Sequence, residues 1–217
     1  MEIEIIIKNH KLFFEKDVEL PCKPLNLEIA KTNLLKFKKE LDREGVEFTL
    51  FFGTLLGAVR ERNFIKHDED IDICVFNEES LLNLIPILRE KGFVFVRYDE
   101  DLKIYSFIKD EVYIDVYIPK KVNGIMGAKY VSIIGQFFPK KYFNRFGYLE
   151  FLGEEFRVPY NTHKVLCFLY GKNWKIPIVD KKPYGMGKVN KIKTFLSTIL
   201  GVKTKRLIRK IVNLDIH

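Results

Sequence analysis

Residues 53–73 read GTLLGAVRERNFIKHDEDIDI, and this stretch decides the predicted fold. Over the preceding residues 46–52, apolar side chains recur at alternate positions, which predicts a strand. Gly53 and Thr54 then open the run LLGAVRE, which has the pattern of a short helix. Residues 71–76 are again apolar and predict a second strand. The chain therefore passes from a strand through a glycine into a helix, and then into a strand that acidic residues introduce.

Three aspartates stand in or beside strands that are otherwise apolar. Asp70 and Asp72 lead into Ile-Cys-Val-Phe, and at a period of two they share one strand face, with Cα atoms roughly 6.5 Å apart. Asp115 is the only charged residue of VYIDVYI, residues 112–118. Taken alone, such a pair is typical of a solvated strand face, and a lone strand aspartate usually meets a lysine or backbone donors. A buried carboxylate without a cation, a proton or donors is unfavourable, so these positions indicate a site.

A divalent cation and a phosphate group would satisfy this arrangement together. Mg²⁺ takes oxygen ligands and is usually held by one or two carboxylates plus phosphate oxygens. Gly53 and Thr54 lie at a predicted helix N-terminus, where unpaired backbone N–H groups and the positive end of the helix dipole form a phosphate-binding site. The dipeptide alone is more typical of a plain turn and helix cap. Followed by the three aspartates, it predicts metal-assisted transfer of a phosphoryl-type group, with Mg²⁺ as the cofactor and Mn²⁺ as the second choice.

The same run resembles the signature of a known family. Residues 53–73 are similar to the signature of the LicD family, which includes fukutin and fukutin-related protein and lies within the nucleotidyltransferase-fold superfamily. YIDVYIP, residues 113–119, is similar to that family's second acidic strand, and YGKNW, residues 170–174, resembles its downstream Tyr-Gly motif. The resemblance covers residues 27–180. Mixed helices and strands, with consecutive strands in the middle of the chain, predict an α+β or mixed α/β fold with helices against one sheet. With the resemblance, the expected class is α+β, in which a nucleotidyltransferase-like mixed sheet packs against helices.

The resemblance also implies an activity and a set of site residues. It implies a transferase that moves phosphocholine, a phospho-polyol or a similar phospho-alcohol from a CDP-activated donor to a hydroxyl of a cell-surface glycan, of the lipopolysaccharide, capsule or teichoic-acid type. Matched by position, the implied metal ligands are Asp68, Asp70, Asp72 and Asp115, the implied catalytic residues are Asp70, Asp72 and Asp115, and the implied donor-binding residues are Gly53, Thr54 and Arg60. Asp115 is the predicted base for the acceptor hydroxyl.

Two other functions stay open on the sequence. A nucleotidyltransferase would use similar carboxylates but would attack the α-phosphorus of its donor and form a nucleotidyl-acceptor, whereas the phospho-alcohol transferase releases CMP. A non-catalytic membrane- or nucleic-acid-binding module would depend on the basic C-terminal residues alone. Three acids set against two apolar strands favour an enzyme over such a module.

The C-terminal residues carry the positive charge of the chain. Residues 181–213 contain ten Lys and Arg and no acid, so the rest of the chain has a net charge of −2 within the total of +8. Apolar residues at helical spacing among these bases predict a cationic amphipathic helix. Three roles of this helix stay open: packing on its own domain, contact with an anionic membrane through residues 188–213, and, as the least favoured, nucleic-acid binding. We expect no nucleic-acid partner. We predict a catalytic domain at residues 1–180 and a basic tail at 181–217.

Length and composition exclude several classes of protein. A chain of 217 residues suits one domain with an appendage. No uncharged apolar run is long enough to span a membrane, and the N-terminus lacks the basic start of a secretory signal. Three cysteines without a C-x-x-C pair argue against a disulfide framework and against a structural zinc site. We expect a cytoplasmic protein, peripheral on the inner face of the cell membrane where the tail binds lipid.

Hydrophobic periodicity predicts the remaining elements of the domain. Helices are expected at residues 27–44, 79–91 and 161–170, and strands at residues 93–98, 102–109 and 112–118. Pro86 is expected either to kink its helix or to delay the start of that helix. Gly45 and Gly171 are expected to end the first and the last of these helices.

Overall fold

The structure is a computed structural model that describes residues 1–122 and 129–177 of the chain. The chain divides into two compact units, Met1–Leu166 and Cys167–His217. The first unit contains every predicted site residue. The predicted tail, residues 181–217, and its boundary lie outside the described residues, so both stay predictions. Among the helices that the structure describes, none combines the length and the apolar character needed to cross a lipid bilayer.

The described chain contains one five-stranded sheet, three smaller sheets and several helices. In chain order the elements are β1 Glu2–Ile7, β2 His10–Glu15, α1 Leu27–Arg43, β3 Phe48–Leu50, α2 Phe52–Arg60, β4 Ile71–Val75, α3 Glu78–Glu90, β5 Val94–Asp99, β6 Ile104–Lys109, β7 Val112–Tyr117, β8 Lys120–Lys121, β9 Tyr130–Ile133, β10 Gln136–Pro139, a 3₁₀ turn Lys140–Tyr142, β11 Phe146–Phe151, β12 Glu154–Pro159 and α4 Thr162–Tyr170. The five-stranded sheet holds the candidate site.

The five-stranded sheet is mixed and has the strand order β3-β4-β7-β6-β5. β4 and β7 are parallel, and each of the other neighbouring pairs in this sheet is antiparallel. The two strands that carry the predicted acids therefore lie side by side, although about forty residues separate them in sequence. Their register pairs Asp72 with Asp115. Residues paired across neighbouring strands have side chains on the same face, so both carboxylates belong to one face of the sheet.

The opposite face of this sheet packs against helices. The side chain of the N-cap residue Asn26 accepts hydrogen bonds from two backbone N–H groups of the first turn of α1. From α1, the fully buried Phe37 packs against Phe93 and against Phe107 of β6, with ring centroids 5.1 and 5.5 Å away. Because side chains alternate along a strand, Ser106 lies on the other face from Phe107. The helix-covered face is therefore apolar, and the polar residues of the central strands share the face of the acids.

The predicted helices and central strands are confirmed, with ends shifted by one or two residues. Gly45 and Gly171 follow α1 and α4 with φ of +64° and +87°, as expected for glycines that end helices. Of the two effects expected of Pro86, a delayed start is excluded, because α3 begins at Glu78 and continues through the proline. Its start is set by Asn77, whose side chain accepts a hydrogen bond from a backbone N–H of the first turn.

The smaller sheets were not predicted. The β1–β2 hairpin turns at Lys8 and Asn9, which have φ of +45° and +69°, and it packs Phe14 edge-on against Phe95 of β5 at 5.3 Å. β8, β9 and β10 form a second sheet, and β11 pairs with β12. These strands are two to six residues long, and the sequence pattern did not distinguish them from loops.

Candidate active site

The two acidic strands place Asp72 and Asp115 around one hydroxyl group. Tyr117 follows Asp115 by two residues and therefore shares its strand face. The Tyr117 hydroxyl lies 2.9 Å from Asp72 Oδ1 and 3.2 Å from Asp115 Oδ2. Since a hydroxyl has a single hydrogen, it contacts both carboxylates but donates to one of them at a time. Asp72 and Asp115 are buried, with 5% and 4% of their surface exposed, so these contacts replace water.

The strand-to-helix junction is hydrogen-bonded to Asp72. The N–H of Gly53 donates to Asp72 Oδ2 at 2.8 Å, and the N–H of Asp72 donates to the Thr54 hydroxyl oxygen at 2.8 Å. Just before them, Phe52 has a φ of +37°, a left-handed conformation that costs a non-glycine residue about 1–2 kcal/mol. The Phe52 ring packs edge-on against Tyr117 at 5.0 Å. Tertiary contacts with the acidic strands therefore hold a strained turn beside the carboxylates, a common feature of functional sites.

Both predicted phosphate-binding residues contact protein groups in this structure. The N–H of Gly53 is directed at the Asp72 carboxylate, and the fully buried Thr54 accepts a hydrogen bond through its hydroxyl oxygen. Their observed contacts position Asp72. A role for Gly53 and Thr54 in binding a donor phosphate stays a prediction.

Asp68 approaches the same glycine from another side. A Cβ atom built on Gly53 would lie 2.5 Å from Asp68 Oδ2, so only a glycine leaves room for this carboxylate. Asp68 Oδ2 is buried and has no hydrogen-bond partner within the described residues. Buried polar atoms normally have a partner, so this carboxylate oxygen is available to a cation or to a hydrogen-bond donor.

Burial raises the pKa of each of these aspartates, and repulsion from neighbouring carboxylates raises it further at Asp68, Asp70 and Asp72. Loss of solvation, followed by repulsion from Glu69, raises the pKa of Asp68 to about 6. Loss of solvation, followed by repulsion from Asp115 and Asp68, raises the pKa of Asp70 to about 7. Burial first and the neighbouring carboxylates second raise the pKa of Asp72 well above its ordinary range, and burial also raises the pKa of Asp115. Asp68, Asp70, Asp72 and Asp115 thus form one electrostatic group, which we call the carboxylate cluster.

The carboxylate cluster suits a hard divalent cation by its chemistry. Its side chains offer only oxygen ligands, one buried oxygen of Asp68 lacks a partner, and a cation would offset the mutual repulsion. Over residues 1–122 and 129–177, no three His, Cys, Asp or Glu side chains are arranged as a preformed metal site. Asp72 and Asp115 contact the Tyr117 hydroxyl in this arrangement. Metal binding by the carboxylate cluster therefore stays a prediction, supported by the donor set.

Three residues of the site were not predicted from the sequence. The Ser106 hydroxyl hydrogen-bonds to Asp115 Oδ1, Arg97 Nη1 lies 3.7 Å from Asp115 Oδ2, and Tyr117 lies between two carboxylates. The period-two spacing within YIDVYIP was a signal for Tyr117, since it shares the face of Asp115. Ser106 and Arg97 have no local signal, because their positions depend on how β5, β6 and β7 pair.

Arg60, a predicted donor-binding residue, lies in the last turn of α2. Its Nε donates to a carboxylate oxygen of Glu61 at 2.8 Å, and its side chain is 13% exposed. The Arg60 charge lowers the pKa of Asp68, although burial has the larger and opposite effect on that pKa. The guanidinium is therefore close enough to act on the Asp68 end of the carboxylate cluster. Phosphate binding by Arg60 stays a prediction.

The raised pKa values predict how stability depends on pH when no cation is present. Between the unfolded value of 3.8 and folded values of about 6 for Asp68 and about 7 for Asp70, the folded state binds more protons than the unfolded chain. The pKa shift of these carboxyl groups therefore makes the protein less stable as pH rises from about 4 to about 7. The melting temperature in EDTA is expected to fall over this range, and Mg²⁺ is expected to reduce the fall.

Glu78, an acid whose pKa is lowered by folding, does not affect the stability change expected between about pH 4.5 and 7. Hydrogen bonds from two lysines and a tyrosine outweigh the effect of burial and lower the pKa of Glu78 to about 2, so its contribution changes only between about 2 and 4.5. The Asp70→Asn variant is the control for the carboxylate cluster and should show a shallower fall. A melting temperature in EDTA that stays constant or rises between about pH 5 and 7 would contradict the electrostatic picture.

Comparison with known proteins adds independent information on this site. A family model described as LicD/FKTN/FKRP, nucleotidyltransferase domain, matches residues 45–161. The ribitol-5-phosphate transferase FKTN of Homo sapiens is 30% identical over 158 residues, and that of Mus musculus is 28% identical. Each match covers 69% of this chain and 34% of the relative, so the chain spans about a third of the length of these relatives. A solved structure of the lincosamide antibiotic adenylyltransferase LnuA with lincomycin has a TM-score of 0.45 and 12% identity, covering 76% of this chain and 96% of that one.

The residues matched by the family model include the strand-to-helix junction, both acidic strands and the whole carboxylate cluster. The predicted resemblance is therefore confirmed. The observed mixed sheet packed against helices agrees with the α+β class that the resemblance implied. Because the match covers more than half of the residues, this chain belongs to the LicD/FKTN/FKRP family and carries its nucleotidyltransferase domain.

Proposed function

We propose that this protein is a Mg²⁺-dependent phosphotransferase that moves a phospho-alcohol from a CDP-activated donor to a hydroxyl of a cell-surface glycan. The observation that carries this proposal is the carboxylate cluster at the strand-to-helix junction, in which Asp72 and Asp115 from parallel strands share the Tyr117 hydroxyl. The relatives named ribitol-5-phosphate transferase support a phospho-polyol as the transferred group. Phosphocholine and phosphoglycerol are the other candidates.

The metal would be held by Asp70, Asp72 and Asp115, with Asp68 adding its unpartnered oxygen. When bound, Mg²⁺ would neutralise negative charge on the phosphate oxygens of the donor. We assign the remaining work to the protein's own side chains. Most of the rate enhancement would come from holding the acceptor hydroxyl in line with the donor phosphorus, in a site that excludes water.

Proton transfer is assigned to Asp115. Asp115 is buried beside the other carboxylates of the cluster, where a carboxylate is held in place to accept a proton from a bound hydroxyl. Hydrogen bonds from Ser106 and Tyr117 fix its orientation. Asp115 would take the proton of the acceptor hydroxyl while the acceptor oxygen forms a bond to the donor phosphorus. The bond between that phosphorus and the oxygen of CMP would break, and CMP would leave. Gly53, Thr54 and Arg60 are the proposed contacts of the donor diphosphate.

A second candidate function is nucleotidyl transfer. The description of the matched domain as a nucleotidyltransferase domain favours it, and the same carboxylate cluster would serve it. In that reaction, the acceptor attacks the α-phosphorus and keeps the nucleoside monophosphate. The product separates the two functions, because the phospho-alcohol transferase releases CMP and the nucleotidyltransferase releases the other part of the donor.

The test is a donor screen on the full chain with CDP-ribitol, CDP-glycerol and CDP-choline, each with Mg²⁺ and with EDTA. A ligand that binds only the native state stabilises it by about 2.7 kcal/mol at a hundred times its Kd. We expect one donor to raise the melting temperature in Mg²⁺ and not in EDTA, and mass spectrometry to show CMP when an acceptor is added. Binding of no CDP-alcohol in Mg²⁺ would contradict the proposal, and a nucleotidyl-acceptor product would establish the second candidate.

The cellular setting stays a prediction as well. We keep the expected cytoplasmic location, with peripheral contact of residues 188–213 with an anionic membrane, as part of the proposal. These residues lie outside the part of the chain that the structure describes.

A further inference from the structure

β5 contains a bulge directly beside the carboxylate cluster. Phe95 of β5 pairs with Phe107 of β6, and Arg97 pairs with Ser106. Consecutive residues of β6 are therefore paired with residues of β5 that are two apart, which leaves Val96 as the extra residue. A β-bulge changes which face the following side chains occupy, and bulges are frequent next to active sites.

The bulge decides on which face Arg97 lies. Phe95 stacks on Phe107 at 5.3 Å on the helix-covered face. Under strict alternation, Arg97 would share the face of Phe95 and would be placed among these aromatic rings. With the bulge, Arg97 is paired with Ser106, and its Nη1 lies 3.7 Å from Asp115 Oδ2. A single extra residue in β5 thus moves a positive charge from the apolar face to the face of the carboxylate cluster.

The Arg97 guanidinium has hydrogen-bond donors to spare. Its distance of 3.7 Å from Asp115 Oδ2 is too long for a hydrogen bond, and Arg97 makes no hydrogen bond to any other described residue. Its side chain is 40% exposed, so a ligand in solution can reach it. By contrast, Arg89 hydrogen-bonds Glu2 and Arg157 hydrogen-bonds Glu47. Among the described arginines, Arg97 is placed at the cluster with its five donors open.

A purely structural role explains Arg97 poorly. Against the larger effect of burial, the Arg97 charge lowers the pKa of the buried Asp115, but at 3.7 Å and with Arg97 half-exposed the pair is long and open to solvent, and it leaves the donors of the guanidinium unused. An oxyanion ligand explains the arrangement better, because a planar guanidinium presents parallel N–H groups that match phosphate oxygens. The carboxylate cluster by itself would repel an anionic substrate, and a positive charge at its edge reduces that repulsion.

We propose that Arg97, brought to the acid face by the bulge at Val96, binds a phosphate group of the substrate next to the carboxylate cluster. The inference rests on the proposed function only for the identity of that phosphate as part of a donor. It assigns the anion contact at the Asp115 side of the cluster, whereas Arg60 lies at the Asp68 side.

The test is calorimetric titration of the full chain with inorganic pyrophosphate in the presence of Mg²⁺. Arg97→Gln is expected to weaken pyrophosphate binding by at least about tenfold, since a hydrogen bond to a charged group is lost. Arg97→Lys keeps the positive charge but loses the planar guanidinium with its parallel N–H groups. Its affinity for pyrophosphate should lie between those of wild type and Arg97→Gln. Arg157→Gln is the matched control, because Arg157 is also a half-exposed strand arginine in an ion pair, and it should bind as wild type does.

Two further measurements separate anion binding from a structural role. The melting temperature of Arg97→Gln without ligand should fall only slightly, because the contact with Asp115 is long and half-exposed. Its affinity for Mg²⁺ alone should be equal or higher, because a positive charge near Asp115 has been removed. Equal pyrophosphate affinity in Arg97→Gln and wild type, or no pyrophosphate binding by wild type, would overturn the inference. Arg97-dependent pyrophosphate binding without turnover of any CDP-alcohol would keep the inference and remove the proposed function.

Discussion

Replacing Asp72 with Asn is expected to reduce transfer by about a hundredfold or more, because mutations of residues that merely orient metal ligands already cost about 10–100-fold. The change removes the negative charge of a proposed metal ligand and little else. The amide oxygen can still accept the hydrogen bond from the N–H of Gly53. The amide nitrogen can donate to the Tyr117 oxygen, whose own hydrogen is then free to bond Asp115.

The fold of this variant should therefore survive. The substitution Asp72→Asn removes one of four carboxylates that repel each other, so the melting temperature in EDTA should not fall below that of wild type. The measurement pairs the rate of CMP release with the melting temperature. Asp42→Asn, at an exposed position of α1, is the matched control and should retain full activity. Asp70→Asn repeats the test at a neighbouring carboxylate of the cluster, and near wild-type activity in both variants would remove the metal assignment.

Replacing Gly53 with Ala is expected to have the second-largest effect, a loss of about a hundredfold in activity with little loss of stability. The new Cβ would lie 2.5 Å from Asp68 Oδ2 and 3.0 Å from Asp68 Oδ1, so the carboxylate must move. The clashing atoms are the end of a flexible side chain, which is why the fold can adjust. A displacement of about 1 Å in a catalytic arrangement costs roughly a hundredfold in rate.

The Mg²⁺ affinity and the donor KM of Gly53→Ala together distinguish two roles for the glycine. If Gly53 makes room for Asp68, the variant should bind Mg²⁺ more weakly. If it makes room for a donor phosphate, Mg²⁺ binding should be unchanged and the KM for the donor should rise. Gly147→Ala is the matched control, because a Cβ there meets Val158 at an ordinary 3.8 Å and should change neither quantity. Wild-type activity in Gly53→Ala would exclude both roles.

Much of the candidate site follows from local pattern alone. Alternation along residues 112–118 shows that Asp115 interrupts an apolar strand, and the spacing of Asp70 and Asp72 predicts that both share one face. The order of strand, Gly53, helix and acidic strand predicts the junction that the structure contains. These features depend on φ/ψ periods of two and 3.6 residues, which act within a few residues of each other and so can be recognised in a sequence.

Other site residues depend on contacts between distant parts of the chain. Asp68 lies close against Gly53, and Tyr117 contacts Asp72 because β4 and β7 are parallel neighbours. The strained φ of Phe52 shortens the strand predicted over residues 46–52 to Phe48–Leu50. A period-two pattern contains no information on which strand is the neighbour or on where a turn is forced.

Residue type and local spacing are enough to identify the acidic residues, the helices and central strands, and the family of this protein. The tertiary structure alone decided that Asp72 faces Asp115 across parallel strands and that Arg97 lies on their face and not among the aromatic rings. Strand pairing and the bulge at Val96 set those positions. A shift of one residue in register reverses the face of every side chain that follows, and register is fixed by packing of the whole sheet.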